Sequence, residues 1–269
     1  MGDSLIATKL LPSLLLSLGP PLRDEDSAIR HAAEATCALL GSLVSPDDAL
    51  DLLTPRLQGT SPGGDTWSQR CLAARLLSEF VKGFAATAAN DPLIVSAYLM
   101  QISAVIALPD LHGHREIELR EALLLLTRNV IASFASQIKT DETSQRNLST
   151  GLVFLQGRCP GEPSVVSDAA VAEAKKLAEA IMPTGQNGVA DEALYASSHF
   201  KSILASICPS IQGVSWEPSS HFKAAFEVLV RECPRAAWEN QETILPIIFQ
   251  QVQPQQMKEK DAMADYVSA

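Results

Sequence analysis

Residues 10–46, LLPSLLLSLGPPLRDEDSAIRHAAEATCALLGSLVSP, decide the fold of this chain. With Ile6, the leucines at 10, 11, 14, 15 and 18 recur at the spacing of one helical face. Gly19-Pro20-Pro21 stops that helix, because proline lacks the N–H a continuing helix needs and glycine permits a sharp turn. Asp24, Glu25, Asp26 and Ser27 then suit a helix N-terminus, where side-chain oxygens accept from exposed N–H groups and negative charge meets the positive end of the dipole. Ile29, Ala32, Ala33, Thr36, Cys37, Leu40 and Leu43 form a second stripe. Two amphipathic helices joined by a turn are expected.

The same pattern recurs along the chain. First helices are expected to begin near residues 5, 46, 91, 141, 191 and 240, a spacing of 41 to 50 residues, against about 40 to 47 for HEAT and armadillo units. The expected hairpins span approximately 5–44, 46–84, 91–136, 141–182, 191–233 and 240–269, and the segment PTGQNG at 183–188 reads as a linker. A lone hairpin leaves an apolar face in water, and stacking on its neighbours removes it at about 25 cal/mol per Å². The expected fold is all-α, a HEAT/armadillo-like α-solenoid of five to six helical hairpins forming one unit. Without polar residues capping its first helix, and with a short last unit, the chain reads as a piece of a longer array.

Composition narrows the function. Hydrophobic residues make up 46% of the 269 but aromatic ones only 5%, which suits a core of close-packed aliphatic helices. The net charge of −10, with no basic stripe, argues against binding nucleic acid. Five cysteines at 37, 71, 159, 208 and 233 are an odd number without short pairings, pointing to buried reduced thiols and a cytoplasmic location. The leucines near the N-terminus are taken as a core-facing helix rather than a signal sequence, and no apolar run is long enough to span a membrane.

Catalytic signatures are not found. The segments SPGGD and PTGQNG lack the residues and the preceding strand of a phosphate loop. His112 and His114 form an H-x-H with no further ligand at metal-binding spacing, while His31, His199 and His221 read as partly exposed surface groups. Cys159-Pro160, Cys208-Pro209 and Cys233-Pro234 invite comparison with haem-regulatory motifs, but each fits a helix end with an inward-packed thiol. Trp67, Trp216 and Trp238 are expected to pack between repeats. No enzyme activity, metal or other cofactor is expected. The sequence contains none of the His-Glu dipeptides of deoxyhypusine hydroxylase, and its acidic balance opposes the basic concave face of a HEAT-like DNA glycosylase.

The first unit, LLPSLLLSL then RDED then AIRHAAEATCALL, resembles the HEAT pattern, whose second helix follows an Asp and opens with an apolar-Arg pair, here Ile29-Arg30. Later units read as degenerate, without that Arg. GSLVSPDDALDLLTPRL, IELREALLLLTRNVIASF, VSWEPSSHFKAAFEVLV and ILPIIFQQVQP, in this order, resemble the HEAT-repeat dynein axonemal assembly factor 5 family, over its middle-to-C-terminal part. The resemblance implies a non-catalytic cytoplasmic scaffold in the preassembly of axonemal dynein arms, with dynein chains and assembly chaperones as partners. A fragment of a nuclear transport receptor, or of another HEAT-repeat adaptor, is the alternative. By helical phase the polar sides of the second helices supply the expected partner surface: Arg30, Glu34, Arg75, Lys82, Glu121, Arg128, Glu173 and Lys176.

Overall fold

The computed structural model describes residues 11–61, 66–87, 91–113, 116–181, 197–211 and 220–249. Helices account for almost all of them, and no strand occurs among the described residues. In chain order these are α1 (Leu11–Leu18), α2 (Ser27–Leu43), α3 (Pro46–Gln58), α4 (Trp67–Thr87), α5 (Pro92–Ile106), α6 (Ile117–Ser133), the single turn α7 (Ala135–Ile138), α8 (Glu142–Gln156), α9 (Val165–Ile181), α10 (Ser197–Ile211), α11 (His221–Glu232), α12 (Pro234–Glu239) and α13 (241–249). Short 3-10 turns at Pro21–Arg23 and Pro109–Leu111 precede α2 and α6.

Helix starts follow local chemistry. The Asp26 carboxylate accepts from Ala28 N–H, Asp91 from Leu93 and Ile94, Asp141 from Thr143, and the Ser220 hydroxyl from Lys223, each satisfying donors that have no partner inside the helix. Pro46, Pro92 and Pro234 open α3, α5 and α12, where the missing N–H costs nothing. Gly59 closes α3 at φ 75°, a left-handed conformation that favours glycine.

Small residues set the closest packing. α2 lies along α4, and α4 along α6. Where α2 crosses α4, a Cβ on Gly83 would stand 1.7 Å from the Ala38 carbonyl oxygen, and one on Gly41 would stand 2.5 Å from that of Phe80. The two backbones therefore touch at positions only glycine can occupy. α3 packs on α4, α5 on α8, α8 on α9, and α11 on both α8 and α10. The buried side chains join into one continuous apolar interior running from Leu22 to Ile247. Fully burying one of its leucines, such as Leu57, Leu77 or Leu126, contributes about 1.5–3 kcal/mol.

Two ring clusters fill wider gaps. Phe84, Tyr98 and Phe134 join α4, α5 and the end of α6, with Phe84 and Tyr98 edge to face at 4.7 Å. Phe154 of α8 stacks on His112 at 4.9 Å and meets Phe222 of α11 edge to face at 5.7 Å.

Several expectations about single residues are corrected. Pro209 lies inside α10 and does not end it, because proline fits helical φ and removes only one backbone bond. Cys159-Pro160 sits in the loop beyond α8, whereas Cys233 does close α11 and Pro234 begins α12. His221 is buried rather than on the surface, because it opens α11 against the α8–α9 loop. His199 is half-buried, in agreement with the partly exposed position expected for it, and desolvation lowers its pKa below the ordinary histidine value. His112 is fully buried, its Nε2 2.8 Å from the Ile106 carbonyl. Trp67 packs on the core, but Trp238 is 72% exposed. Residues 183–188, His114 and Trp216 lie outside the described residues. All five cysteines are buried.

Candidate functional site

The eight residues singled out on the second helices have different fates. Arg30 folds back over its own helix start, donating to the Asp24 carbonyl at 2.6 Å and the Glu25 carbonyl at 2.9 Å. Arg75 is half-buried and reaches the Leu22 carbonyl at 3.4 Å. Glu121 is exposed and Glu34 half-buried. Lys82 pairs at 2.7 Å with Glu79, one helical turn before it on α4. Arg128 of α6 and Lys176 of α9 both bind Glu173, at 2.8 and 2.9 Å. Glu173 itself is only 2% exposed, so it is the hub of an α6–α9 tie and presents little surface of its own.

Together these charges make a polar row across α2, α4, α6 and α9. Glu34 and Glu79 act on the same buried thiol, Cys37, whose pKa is pushed up to about 12, mainly by burial and further by the two carboxylates. Burial also raises the Glu79 carboxyl above its ordinary value, and Lys82 offsets this only in part. Between α4 and α6, the Asn129 amide donates to the Ser78 hydroxyl at 2.6 Å. The exposed groups of the row are the outward cations: Lys82, Arg128 and Lys176 are 43%, 45% and 60% exposed.

The second helices share a further regularity. The fourth residue of α2, of α4 and of α6 is an arginine: Arg30, Arg70 and Arg120. Each turns its guanidinium onto backbone carbonyls. Arg70, 8% exposed, donates through Nε to the Leu57 carbonyl at 2.8 Å, closing the end of α3. Arg120, 4% exposed, donates through Nη2 to the Leu155 and Gly157 carbonyls at 3.0 and 2.6 Å, closing the end of α8. The later units thus keep an Arg at this position as far as α6. Leu119-Arg120 even repeats the apolar-Arg pair; at 69–70 a Gln stands before the Arg and hides it.

Beyond Arg120 lies a polar cluster that no sequence spacing announces. Cys159-Pro160-Gly161-Glu162 forms a tight turn: Gly161 has φ 86°, and the Glu162 N–H donates to the Cys159 carbonyl at 3.2 Å. Proline second and a left-handed glycine third are what a type II turn requires. The turn brings its first and last side chains together, and a Glu162 oxygen accepts from the Cys159 N–H at 3.1 Å. His221, from the first position of α11, places Nε2 2.9 Å from Glu162 Oε1 and 3.0 Å from Oε2. The ligand atoms of Cys159, Glu162 and His221 all lie within 4.8 Å of one another. Gly157 permits this approach, since a Cβ there would come within 2.8 Å of the His221 carbonyl. Burial lowers the Arg120 pKa, and the charges of Glu162 and Cys159 oppose that shift.

Ile117, Arg120, Arg158, Glu162, Pro163 and Val166 wall a cavity of about 250 Å³ beside the cluster. A neighbouring one of about 390 Å³, lined by Arg158, Asp168, Glu227 and Arg231 among others, opens between α9 and α11. Compared with protein-family models, with curated proteins and with solved structures, the chain gives no match. No helix among the described residues is long and apolar enough to cross a membrane.

Proposed function

We propose that the chain is a HEAT-like α-solenoid that acts as a protein-binding scaffold, holding its partner across the polar row of α2, α4, α6 and α9. The observation that carries this is the recurrent arginine at the fourth position of three successive second helices, Arg30, Arg70 and Arg120, each anchored on backbone carbonyls. Equivalent helix positions are what repetition of one unit produces, while the carbonyls bound differ: those just before α2 for Arg30, the end of α3 for Arg70 and the end of α8 for Arg120. Contacts between α2, α4 and α6, and between α5 and α8, support the same stacking. Within the row, Glu79 and Glu173 are buried and fix the geometry, while the exposed Lys82, Arg128 and Lys176 are available to a partner carrying acidic groups.

From the resemblance in sequence, the partners proposed are dynein chains and assembly chaperones, in the cytoplasm. The variant Lys82→Gln, Arg128→Gln, Lys176→Gln tests the surface, since it removes the three exposed cations, while the amides at 128 and 176 can still donate to Glu173 and the arginine anchors stay in place. Capture from ciliated-cell cytosol with the wild type is expected to recover dynein chains or assembly chaperones, and the folded triple variant is expected to lose them. Recovery undiminished by the triple change would remove the row as the binding surface. Recovery of neither class, together with binding to a basic signal peptide or GTP-loaded Ran, would move the chain to the transport receptors.

A further inference from the structure

We infer that Cys159, Glu162 and His221 form a binding site for a zinc-class divalent cation that staples the α8–α9 turn to the start of α11. This goes beyond the scaffold role and does not depend on it. Three features carry it. The side chains are the three ligand types that zinc accepts: a sulfur, a carboxylate oxygen and an imidazole nitrogen. Their ligand atoms already converge within 4.8 Å, although Glu162 and His221 are 59 residues apart in sequence. The type II turn at Cys159–Glu162 points two of them to one side, with Gly161 supplying the left-handed residue and Gly157 the close approach of α11.

The chemistry of the set selects the ion. A sulfur ligand disfavours calcium and magnesium, which prefer all-oxygen shells. Arg120, whose charge acts on both Cys159 and Glu162, repels a second cation. Only a metal with high affinity for sulfur overcomes that repulsion. On binding, the Cys159 thiol releases its proton to solvent, and His221 Nε2 exchanges its contact with Glu162 for the metal, with any proton it carries also released. Glu162 lines the 250 Å³ cavity, which offers a way in and room for a water as fourth ligand.

The test uses the full chain, reduced and stripped with a chelator, and cobalt(II) as a spectroscopic stand-in for zinc. One equivalent of cobalt is expected to produce a sulfur-to-cobalt charge-transfer band in the near ultraviolet with visible bands of tetrahedral intensity, and zinc is expected to abolish both. Cys159→Ser removes the charge-transfer band, whereas Cys233→Ser keeps it. Glu162→Gln, which preserves shape and an acceptor for His221, weakens cobalt binding by at least about tenfold, a loss that even outer partners of metal ligands cause. Circular dichroism of each variant checks folding; if Cys159→Ser does not fold, Glu162→Gln and His221→Gln decide. No charge-transfer band in the wild type, a band undiminished in folded Cys159→Ser, or unchanged affinity in folded Glu162→Gln and His221→Gln would each overturn the site. In those outcomes the three side chains are only a hydrogen-bonded bracket between α11 and the turn.

Discussion

The joint between α2 and α4 and the joint between α8 and α11 solve the same packing problem with different chemistry. In the first, Gly41 and Gly83 let two helix backbones meet over long, apolar faces, with Cys37 and Phe80 buried beside them. In the second, Gly157 also opens a close approach, but the contact is short and a loop is involved, so polar groups complete it: Arg120 on two carbonyls, and His221 on Glu162. Helix against helix can be closed by shape alone. A helix start meeting a loop leaves backbone N–H and C=O groups without helical partners, and side chains must supply them.

Replacing Gly83 by Ala forces a methyl into the Ala38 carbonyl, and with rigid backbone on both sides a loss of about 3 kcal/mol in urea unfolding is expected. A change within ~0.5 kcal/mol would mean that the first joint is not closed by backbone contact. At the second joint, Arg120→Met keeps volume but leaves the Leu155 and Gly157 carbonyls without their donor. It is expected to cost about 2 kcal/mol, with hydrogen exchange rising at the end of α8. An unaffected α8 end would assign that joint to packing alone.

The smallest effect concerns pH. Because burial raises the folded-state pKa of Glu79 above its unfolded value of about 4.5, the folded chain binds that proton more tightly. Its contribution to stability is fully present below the unfolded pKa and is lost as pH rises through the folded one. Glu79→Gln removes this dependence while keeping an acceptor for Lys82. The variant is therefore expected to be slightly more stable than wild type near pH 7, with the difference shrinking as the pH falls into the ordinary carboxylate range. A variant less stable at pH 7 would show that the Lys82 pair outweighs the desolvation of Glu79.

The helical class was legible because its signals are local. Asp26, Asp91 and Asp141 mark helix starts by capping, Gly19-Pro20-Pro21 marks a stop, and α1 does end at Leu18. Arg30 could be read from its apolar neighbour, and Leu119-Arg120 offered the same signal, but the role of each guanidinium depends on which carbonyls the fold brings near. Glu173 illustrates the limit from the other side. Its helical phase suggests an outward carboxylate, yet Arg128 comes from α6, 45 residues away, and covers it.

What the sequence determined by itself is the set of amphipathic helices, since capping, proline stops and 3.6-residue periodicity act over a few residues. The tertiary structure alone decided which polar groups meet. Gly41 and Gly83 let α2 and α4 pass closely, and Gly157 lets α11 meet the end of α8, where Arg120 binds the last carbonyls and His221 stands beside Cys159 and Glu162. Such convergence depends on the sum of many helix packings, so no local spacing encodes it.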